Sequence, residues 1–172
     1  ANKNFNVAFL GDSMMERWKG TKFWQTDFSE YANLGVGGDC TEHLLYRISG
    51  QNNVTSILDV IKVDKIYLMI GTNNSEKKKP DQIVEAIQKV INIIFEKLPN
   101  VELVVYGLTV RQDVPDAKIE EINKKLESMI KLSNNPKMSY RYLDISKEDL
   151  VDHVHLNDQG YEKWFHALNE KK

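Results

Sequence analysis

Five short stretches rich in apolar and β-branched residues recur along the chain and alternate with segments of helical periodicity. These stretches are residues 5–10, 31–34, 65–70, 101–106 and 140–144. Alternation of this kind predicts a parallel sheet with helices on both of its faces. The third and fourth stretches are almost continuously apolar, which is typical of central strands buried on both sides. The sequence therefore predicts an α/β fold with a five-stranded parallel sheet.

Three of the intervening segments have apolar residues at helical spacing. The apolar positions are Ile83, Ile87, Val90, Ile91, Ile94 and Leu98 in the first, Ile119, Ile122, Leu126, Met129 and Ile130 in the second, and Tyr161, Trp164, Phe165 and Leu168 in the third. Pro80 suits the first turn of the first helix, and the third helix is predicted from Gln159 to the C-terminus. A length of 172 residues, with no repeat and no Gly/Ser linker, suits one domain over residues 1–172.

The charge balance and the cysteine count exclude several classes of function. With 23 Lys and Arg against 25 Asp and Glu, the net charge is −2, so no broad basic surface for nucleic acid or an anionic membrane is expected. No apolar run reaches the 18 or so residues of a membrane span, so we expect a soluble protein without integral membrane contact. Cys40 is the single cysteine, which excludes an internal disulfide and a CxxC metal site. Because residue 1 is Ala, removal of a leader stays open, and so do the cellular location and a homodimer.

Glycine-rich and polar motifs follow four of the five predicted strands. They are Gly-Asp-Ser at 11–13, Gly-Val-Gly-Gly-Asp at 35–39, Gly-Thr-Asn-Asn at 71–74 and Asp-His-Val-His at 152–155. Open α/β sheets bind ligands outside the carboxyl ends of their strands. We therefore expect the four motifs to meet at one crevice, although each motif alone is weakly specific.

The residues in these motifs suit acyl transfer. A serine hydroxyl becomes a nucleophile when a histidine removes its proton, and a carboxylate on the other ring nitrogen orients that histidine. Ser13, His155 and Asp152 can take these three roles, and a turn can fold the carboxylate back onto a histidine three residues later. Asp149 competes with Asp152 for the carboxylate role, and the sequence alone leaves that choice open.

The same motifs provide hydrogen-bond donors for the negative oxygen of a tetrahedral intermediate. The candidates are the backbone N–H groups of Ser13 and Gly38 and the side-chain amide of Asn73. Asn74 and Arg111 are candidate substrate contacts, and no metal site is predicted because His153, which alternates with His155, is interpreted as a bystander.

Together the motifs resemble those of the GDSL or SGNH hydrolases, whose blocks carry Ser, Gly, Asn and His in this order. Within that family the segments NLGVGGDCTEHLLYRI and GTNN look most like the catalytic subunits of type Ib platelet-activating-factor acetylhydrolase and related bacterial acyl-esterases. The resemblance implies a three-layer, flavodoxin-like α/β/α fold, no cofactor, and the same roles for Ser13, Gly38, Asn73, Asp152 and His155. Asn74 departs from the Asp of many members, and we expect it to change the hydrogen bonds that position Asn73.

These observations predict a serine esterase that acts on a small ester through an acyl-enzyme. The loops near 74–80 and 109–115 are short and leave little chain for a lid or a deep acyl tunnel, so a short acyl group such as acetyl fits best. A thioesterase or lysophospholipase with the same triad, and a catalytically silent binding domain, remain as alternatives.

Overall fold

The computed structural model describes residues 3–170, which form five β strands and six α helices. The strands are β1 (Lys3–Gly11), β2 (Ala32–Gly35), β3 (Ile61–Met69), β4 (Glu102–Tyr106) and β5 (Met138–Arg141). The helices are α1 (Ser13–Glu16), α2 (Phe23–Thr26), α3 (Thr41–Ser49), α4 (Pro80–Lys97), α5 (Asp116–Leu132) and α6 (Asp158–Asn169).

All five strands are parallel, in the order β2-β1-β3-β4-β5. The chain steps from β1 outward to β2 and then returns past β1 to β3, so the direction of strand order reverses there. Because parallel crossovers are right-handed, the β1–β2 connection lies on one face of the sheet and α3, α4 and α5 lie on the other. The predicted α/β sandwich with a five-stranded parallel sheet is confirmed, and its strand order is that of flavodoxin-like folds.

The two faces of the sheet are covered by different elements, three packed helices on one face and a layer of aromatic side chains on the other. On one face α3 packs against α4, and α4 packs against α5. The other face is aromatic: the Phe9 and Trp18 rings lie 5.5 Å apart, and Trp164 lies 5.2 Å from Trp18 and 5.3 Å from Tyr106. Trp164 belongs to α6 and Trp18 to the turn after α1, so both ends of the chain contribute side chains to this aromatic layer.

The bounds of all five strands differ from the predicted ones, and the largest differences are at the start of β3 and the end of β5. β3 begins at Ile61 instead of Lys65, and its first four residues alternate between buried and exposed while they pair with the start of β1. That alternation conceals a strand from a search for continuous apolar runs. β5 spans Met138–Arg141 instead of 140–144, because β4 ends at Tyr106 and offers no partner beyond Arg141.

The three predicted helices lie where the periodicity places them. Pro80 is the first residue of α4, and the Lys79 N–H donates to the Gln82 side chain over 3.0 Å at its start. The last helix ends at Asn169, and residues 171 and 172 lie outside the described part of the chain. Within residues 3–170, none of the helices combines the length and the apolar character that a bilayer crossing requires.

Candidate active site

The first site motif forms a tight turn from β1 into α1. Gly11 ends the strand where β1 meets β3, and a Cβ atom at this position would lie 2.1 Å from the Met69 carbonyl oxygen. Asp12 then caps α1, because its Oδ1 accepts from the Met14 N–H at 2.9 Å. Ser13 is therefore the first helical residue and lies directly beyond the carboxyl end of a central strand.

A continuous hydrogen-bonded chain joins Ser13, His155 and Asp152. Ser13 Oγ lies 2.9 Å from His155 Nε2, and His155 Nδ1 lies 2.7 Å from Asp152 Oδ2. The second carboxylate oxygen of Asp152 accepts from the N–H groups of Val154 and His155 at 2.9 and 2.7 Å. The Asp-x-x-His turn therefore fixes the carboxylate and directs the ring toward Ser13. With its proton on Nδ1, the imidazole leaves Nε2 free to accept the proton of the serine hydroxyl.

The electrostatics of this turn keep Asp152 ionised. Partial burial opposes the charged form, but the backbone N–H groups of His155 and Val154 and the His155 ring outweigh it. Together they hold the pKa of Asp152 well below its usual range. Asp152 can therefore face His155 as a carboxylate throughout the pH range in which an imidazole acts as a base.

Asp149 lies in a different environment, although it is only three residues away from Asp152. Its side chain is 1% exposed, and Oδ2 accepts from the Ser146 N–H at 2.9 Å and from Lys163 Nζ at 2.8 Å. These contacts join the turn before the Asp-His segment to α6. The geometry thus brings Asp152, and not Asp149, to the imidazole ring.

The residues of the three candidate donors, Ser13, Gly38 and Asn73, follow different strands and line the same crevice. Gly38 has a left-handed backbone with φ +80°, and a Cβ built on it would meet no atom within 4 Å. The Gly38 N–H donates to no other group among residues 3–170. Asn73 Nδ2 donates to the Asp39 carbonyl at 2.9 Å, which ties the loop after β3 to the loop after β2. Ser13, Gly38, Asn73 and His155 line one open crevice of about 430 Å³.

Arg111 also lines this crevice, but its guanidinium is engaged by the protein. The side chain is 3% exposed and forms ion pairs with Asp113 at 2.7 Å and Glu76 at 2.8 Å. Nη1 donates to the Thr72 carbonyl at 2.7 Å. Arg111 therefore joins the loops after β3 and β4, with its charge compensated by two carboxylates. No sequence pattern indicates Glu76 or Asp113 as partners of Arg111, because the spacing of these residues follows no motif.

Asn74 lies apart from the crevice and connects the loop after β3 to α3. Its side chain is buried; Oδ1 accepts from the Thr41 N–H at 3.0 Å and Nδ2 donates to Glu42 at 2.9 Å. An amide suits this position because it accepts and donates at once, whereas an aspartate would place a second carboxylate against Glu42. The expected substrate contact at Asn74 is thus replaced by a contact that supports the loop carrying Asn73.

The remaining polar residues considered from the sequence occupy other positions. Cys40 is half-buried before α3, and burial raises the pKa of its thiol, which disfavours the thiolate. His153 lies on the crevice wall, 3.6 Å from Asp113 and 56% exposed. His43 accepts from the Cys40 N–H at the start of α3. Within residues 3–170, no three His, Cys, Asp or Glu side chains are grouped in a way that could hold a metal ion.

The buried carboxyl of Asp12, next to Ser13, is expected to make the free energy of unfolding depend on pH. This carboxyl is completely buried, and Oδ2 has no hydrogen-bond partner among the described residues. Burial raises the pKa of Asp12 to about 7, and the nearby charge of Asp39 adds to that rise. The folded state therefore holds this proton more tightly than the unfolded chain. The stabilisation is complete at low pH and is lost as the pH rises through about 7.

Asp12→Asn should remove this dependence while keeping the oxygen that caps Met14. Between pH 5 and pH 8 the wild-type protein should lose about 2 to 3 kcal/mol of unfolding free energy relative to the variant. Urea unfolding of both proteins at the two pH values measures the difference. Parallel changes in the two proteins would show that Asp12 does not titrate in this range.

A serine, a histidine and a carboxylate in contact at the carboxyl edge of a parallel α/β sheet form a geometry that suits acyl transfer. Comparison with known families agrees, because the GDSL-like Lipase/Acylhydrolase family matches residues 9–163, a segment that contains every residue of the hydrogen-bonded chain. The chain belongs to this family, and it is a hydrolase of the esterase type.

Individual relatives cover nearly the whole chain. Platelet-activating factor acetylhydrolase IB subunit alpha2 from Homo sapiens is 29% identical over 182 residues, which span 98% of this chain and 76% of the relative. A solved structure from Streptococcus pneumonia, named after platelet activating factor, is 21% identical, has a TM-score of 0.76 and covers 96% of this chain and 82% of that one. A carbohydrate esterase family 3 structure from Talaromyces cellulolyticus is 18% identical, with a TM-score of 0.74 over 98% of this chain and 94% of its own. Both of these solved structures share the fold of this chain.

Proposed function

We propose that this chain is a serine esterase that hydrolyses short-chain acyl esters, acetyl esters above all, through an acyl-enzyme. The observation that carries the proposal is the hydrogen-bonded chain from Ser13 through His155 to Asp152, with distances of 2.9 and 2.7 Å. A nucleophile, a base and an orienting carboxylate in direct contact are the arrangement that acyl transfer requires.

The first half of the reaction acylates the serine. Ser13 Oγ attacks the ester carbonyl carbon while His155 Nε2 takes the hydroxyl proton. The imidazolium that forms is stabilised by Asp152, which remains ionised. His155 then gives the proton to the leaving alcohol as the carbon–oxygen bond to that alcohol breaks. In the second half a water molecule takes the place of the alcohol, and its attack releases the acid and restores the serine.

Each half passes through a tetrahedral intermediate with a negatively charged oxygen. The N–H groups of Ser13 and Gly38 and the second amide hydrogen of Asn73 are its proposed donors. They come from the ends of three neighbouring strands, so the sheet brings them to one edge before the substrate arrives. Fixed donors of this kind commonly give the largest single contribution to the rate of acyl transfer.

The polar lining of the crevice is an argument for a short acyl group in the substrate. Its wall is formed largely by polar and charged side chains, and Val154 is the one lining residue with a hydrocarbon side chain. Burying a methylene group stabilises a complex by about 0.8 kcal/mol only where apolar surface receives it. A longer acyl chain would thus gain little here. The acetylhydrolase activity in the name of the Homo sapiens relative agrees with this choice.

A series of p-nitrophenyl esters from acetate to decanoate tests the proposal. The ratio kcat/KM should be highest for acetate or propionate and should fall about tenfold or more by octanoate, because the crevice offers no apolar channel. An acetyl thioester and lysophosphatidylcholine, assayed in parallel, test the alternatives. Faster turnover of long acyl chains would favour a lysophospholipase, and a preference for the thioester would favour a thioesterase. Ser13→Ala provides the blank for all substrates.

A further inference from the structure

The loop after β2 carries a proposed oxyanion donor, and one hydrogen bond within the loop closes a turn around it, from the Asp39 N–H to the Val36 carbonyl at 3.2 Å. Val36, Gly37 and Gly38 are all exposed, and two adjacent glycines give the backbone wide conformational freedom. The Gly38 N–H nevertheless has to face the crevice at a fixed distance from Ser13. Contacts from outside the loop add to the restriction that this single turn bond gives.

Besides this turn bond and the ion pair of Asp39 with Arg47, three further contacts hold the loop, and one of them comes from a side chain of α1. The Val36 N–H donates to the Gly11 carbonyl at 3.1 Å, before the two glycines. The Asp39 carbonyl accepts from Asn73 Nδ2 at 2.9 Å, after them. Between these two contacts, the Gly37 N–H donates to Glu16 Oε2 at 2.9 Å. The Glu16 contact and the turn bond both engage the Val36–Gly37 peptide, which precedes the peptide that carries the Gly38 N–H.

We infer that Glu16 is a positioning residue for the oxyanion hole, an inference that rests on the esterase function proposed above. Glu16 holds the Gly37 amide, and this fixes the orientation of the next peptide and the direction of the Gly38 N–H. The hydrogen bond to an ionised carboxylate is stronger than one to a neutral acceptor, which suits an exposed loop that water can reach.

The position of Glu16 in α1 places its contact with Gly37 close to the proposed nucleophile. Ser13 and Glu16 are the first and last residues of the same helical turn, and residues three apart lie on the same side of a helix. The side of Gly37 that faces α1 lies against both residues, since a Cβ built there would be 3.5 Å from Glu16 Oε1 and 3.8 Å from Ser13 Cβ. One helical turn thus carries both the nucleophile and the residue that fixes a donor beside it.

A second role for Glu16 would act through its charge, on the imidazole or on the substrate. Glu16→Gln separates the two roles. Its amide oxygen can still accept from the Gly37 N–H, but the negative charge is gone. Glu16→Met keeps a similar length and helix propensity but offers no strong acceptor. The positioning role requires the first variant to stay active and the second to lose activity.

The experiment compares kcat and KM for p-nitrophenyl acetate in wild type, Glu16→Gln and Glu16→Met, with Glu162→Met as the matched control. Glu162 is a partly exposed carboxylate on α6 whose contact is a 3.5 Å pair with Lys22. We expect kcat to fall about 10- to 100-fold in Glu16→Met, less than the 10²- to 10³-fold cost of deleting a donor, with KM changed by less than about twofold. Glu16→Gln should stay within about threefold of wild type. Acylation and deacylation both use the donors, so kcat reports on either step.

Three results would overturn the inference. The first is full activity in Glu16→Met, and the second is an equal loss in the Gln and Met variants, which would assign the effect to charge. The third is a rise in KM with unchanged kcat, which would make Glu16 a substrate contact. Urea unfolding of each variant shows whether it is folded, and Glu16→Ala serves in place of Glu16→Met if the latter is not. A wild-type protein inactive on every ester would instead contradict the proposed function itself.

Discussion

Ser13→Ala is expected to abolish ester hydrolysis, with a fall in kcat of about 10⁶-fold, the loss that follows removal of a nucleophile from an intact triad. The variant keeps His155, Asp152 and the proposed donors, so it should still bind substrate and polarise its carbonyl. Without an attacking oxygen on the protein, no acyl-enzyme forms. Only slow attack by water, assisted by the remaining groups, is left.

The same substitution should leave the fold intact. The Ser13 hydroxyl is half-buried, and its hydrogen-bond contact with another side chain is the one to His155. Loss of one such contact changes the unfolding free energy by about 1 kcal/mol or less. Urea unfolding at neutral pH should therefore give nearly the same curve for both proteins.

A fluorophosphonate probe distinguishes an enzyme from a silent binding domain. The wild-type protein should be labelled at Ser13 and the alanine variant should not, because the probe reacts with an activated serine hydroxyl. If the variant hydrolysed p-nitrophenyl acetate at the wild-type rate, another residue would be the nucleophile. If the wild-type protein were not labelled, the hydrogen-bonded chain would exist without activating the serine.

The proximity of the candidate site residues follows largely from the topology of a parallel sheet. Apolar runs mark the strands, and strands that run in the same direction bring their carboxyl ends to one edge. Ser13 after β1, Gly38 after β2 and Asn73 after β3 therefore become neighbours whatever the details of their loops. The structure adds the strand order, in which β1 lies between β2 and β3.

The contacts that support the site were not predictable in the same way. Arg111 reaches Thr72 and Asp113, and Glu16 reaches Gly37, through loop conformations that follow no period and no motif. The Arg111 side chain shows the consequence. In the sequence, a basic residue directly after a strand suggests a contact with an anionic substrate. In the fold, two carboxylates already compensate the charge of Arg111. Whether a charged residue is free or paired depends on tertiary contacts that a sequence pattern does not encode.

Asp152→Asn should lower kcat by about 10³- to 10⁴-fold, which makes it the second largest effect expected in this protein. The amide oxygen of the variant can still accept from the Val154 and His155 N–H groups, as Oδ1 of Asp152 does. The amide nitrogen then faces His155 Nδ1 as a donor. This favours the ring tautomer that carries its proton on Nε2, which cannot take the proton of Ser13.

Asp149→Asn provides the matched control, because it changes the same atoms in the same segment. Asp149 is buried, and its Oδ2 pairs with Lys163 and accepts from the Ser146 N–H, so the variant should lose about 1 to 3 kcal/mol of unfolding free energy. Its kcat should stay within about twofold of wild type at a temperature where it is folded. Kinetics on p-nitrophenyl acetate together with urea unfolding give both quantities for each variant. A loss of kcat in Asp149→Asn, with Asp152→Asn active, would mean that His155 is oriented by the other carboxylate and that the 2.7 Å contact with Asp152 is not the one used in turnover.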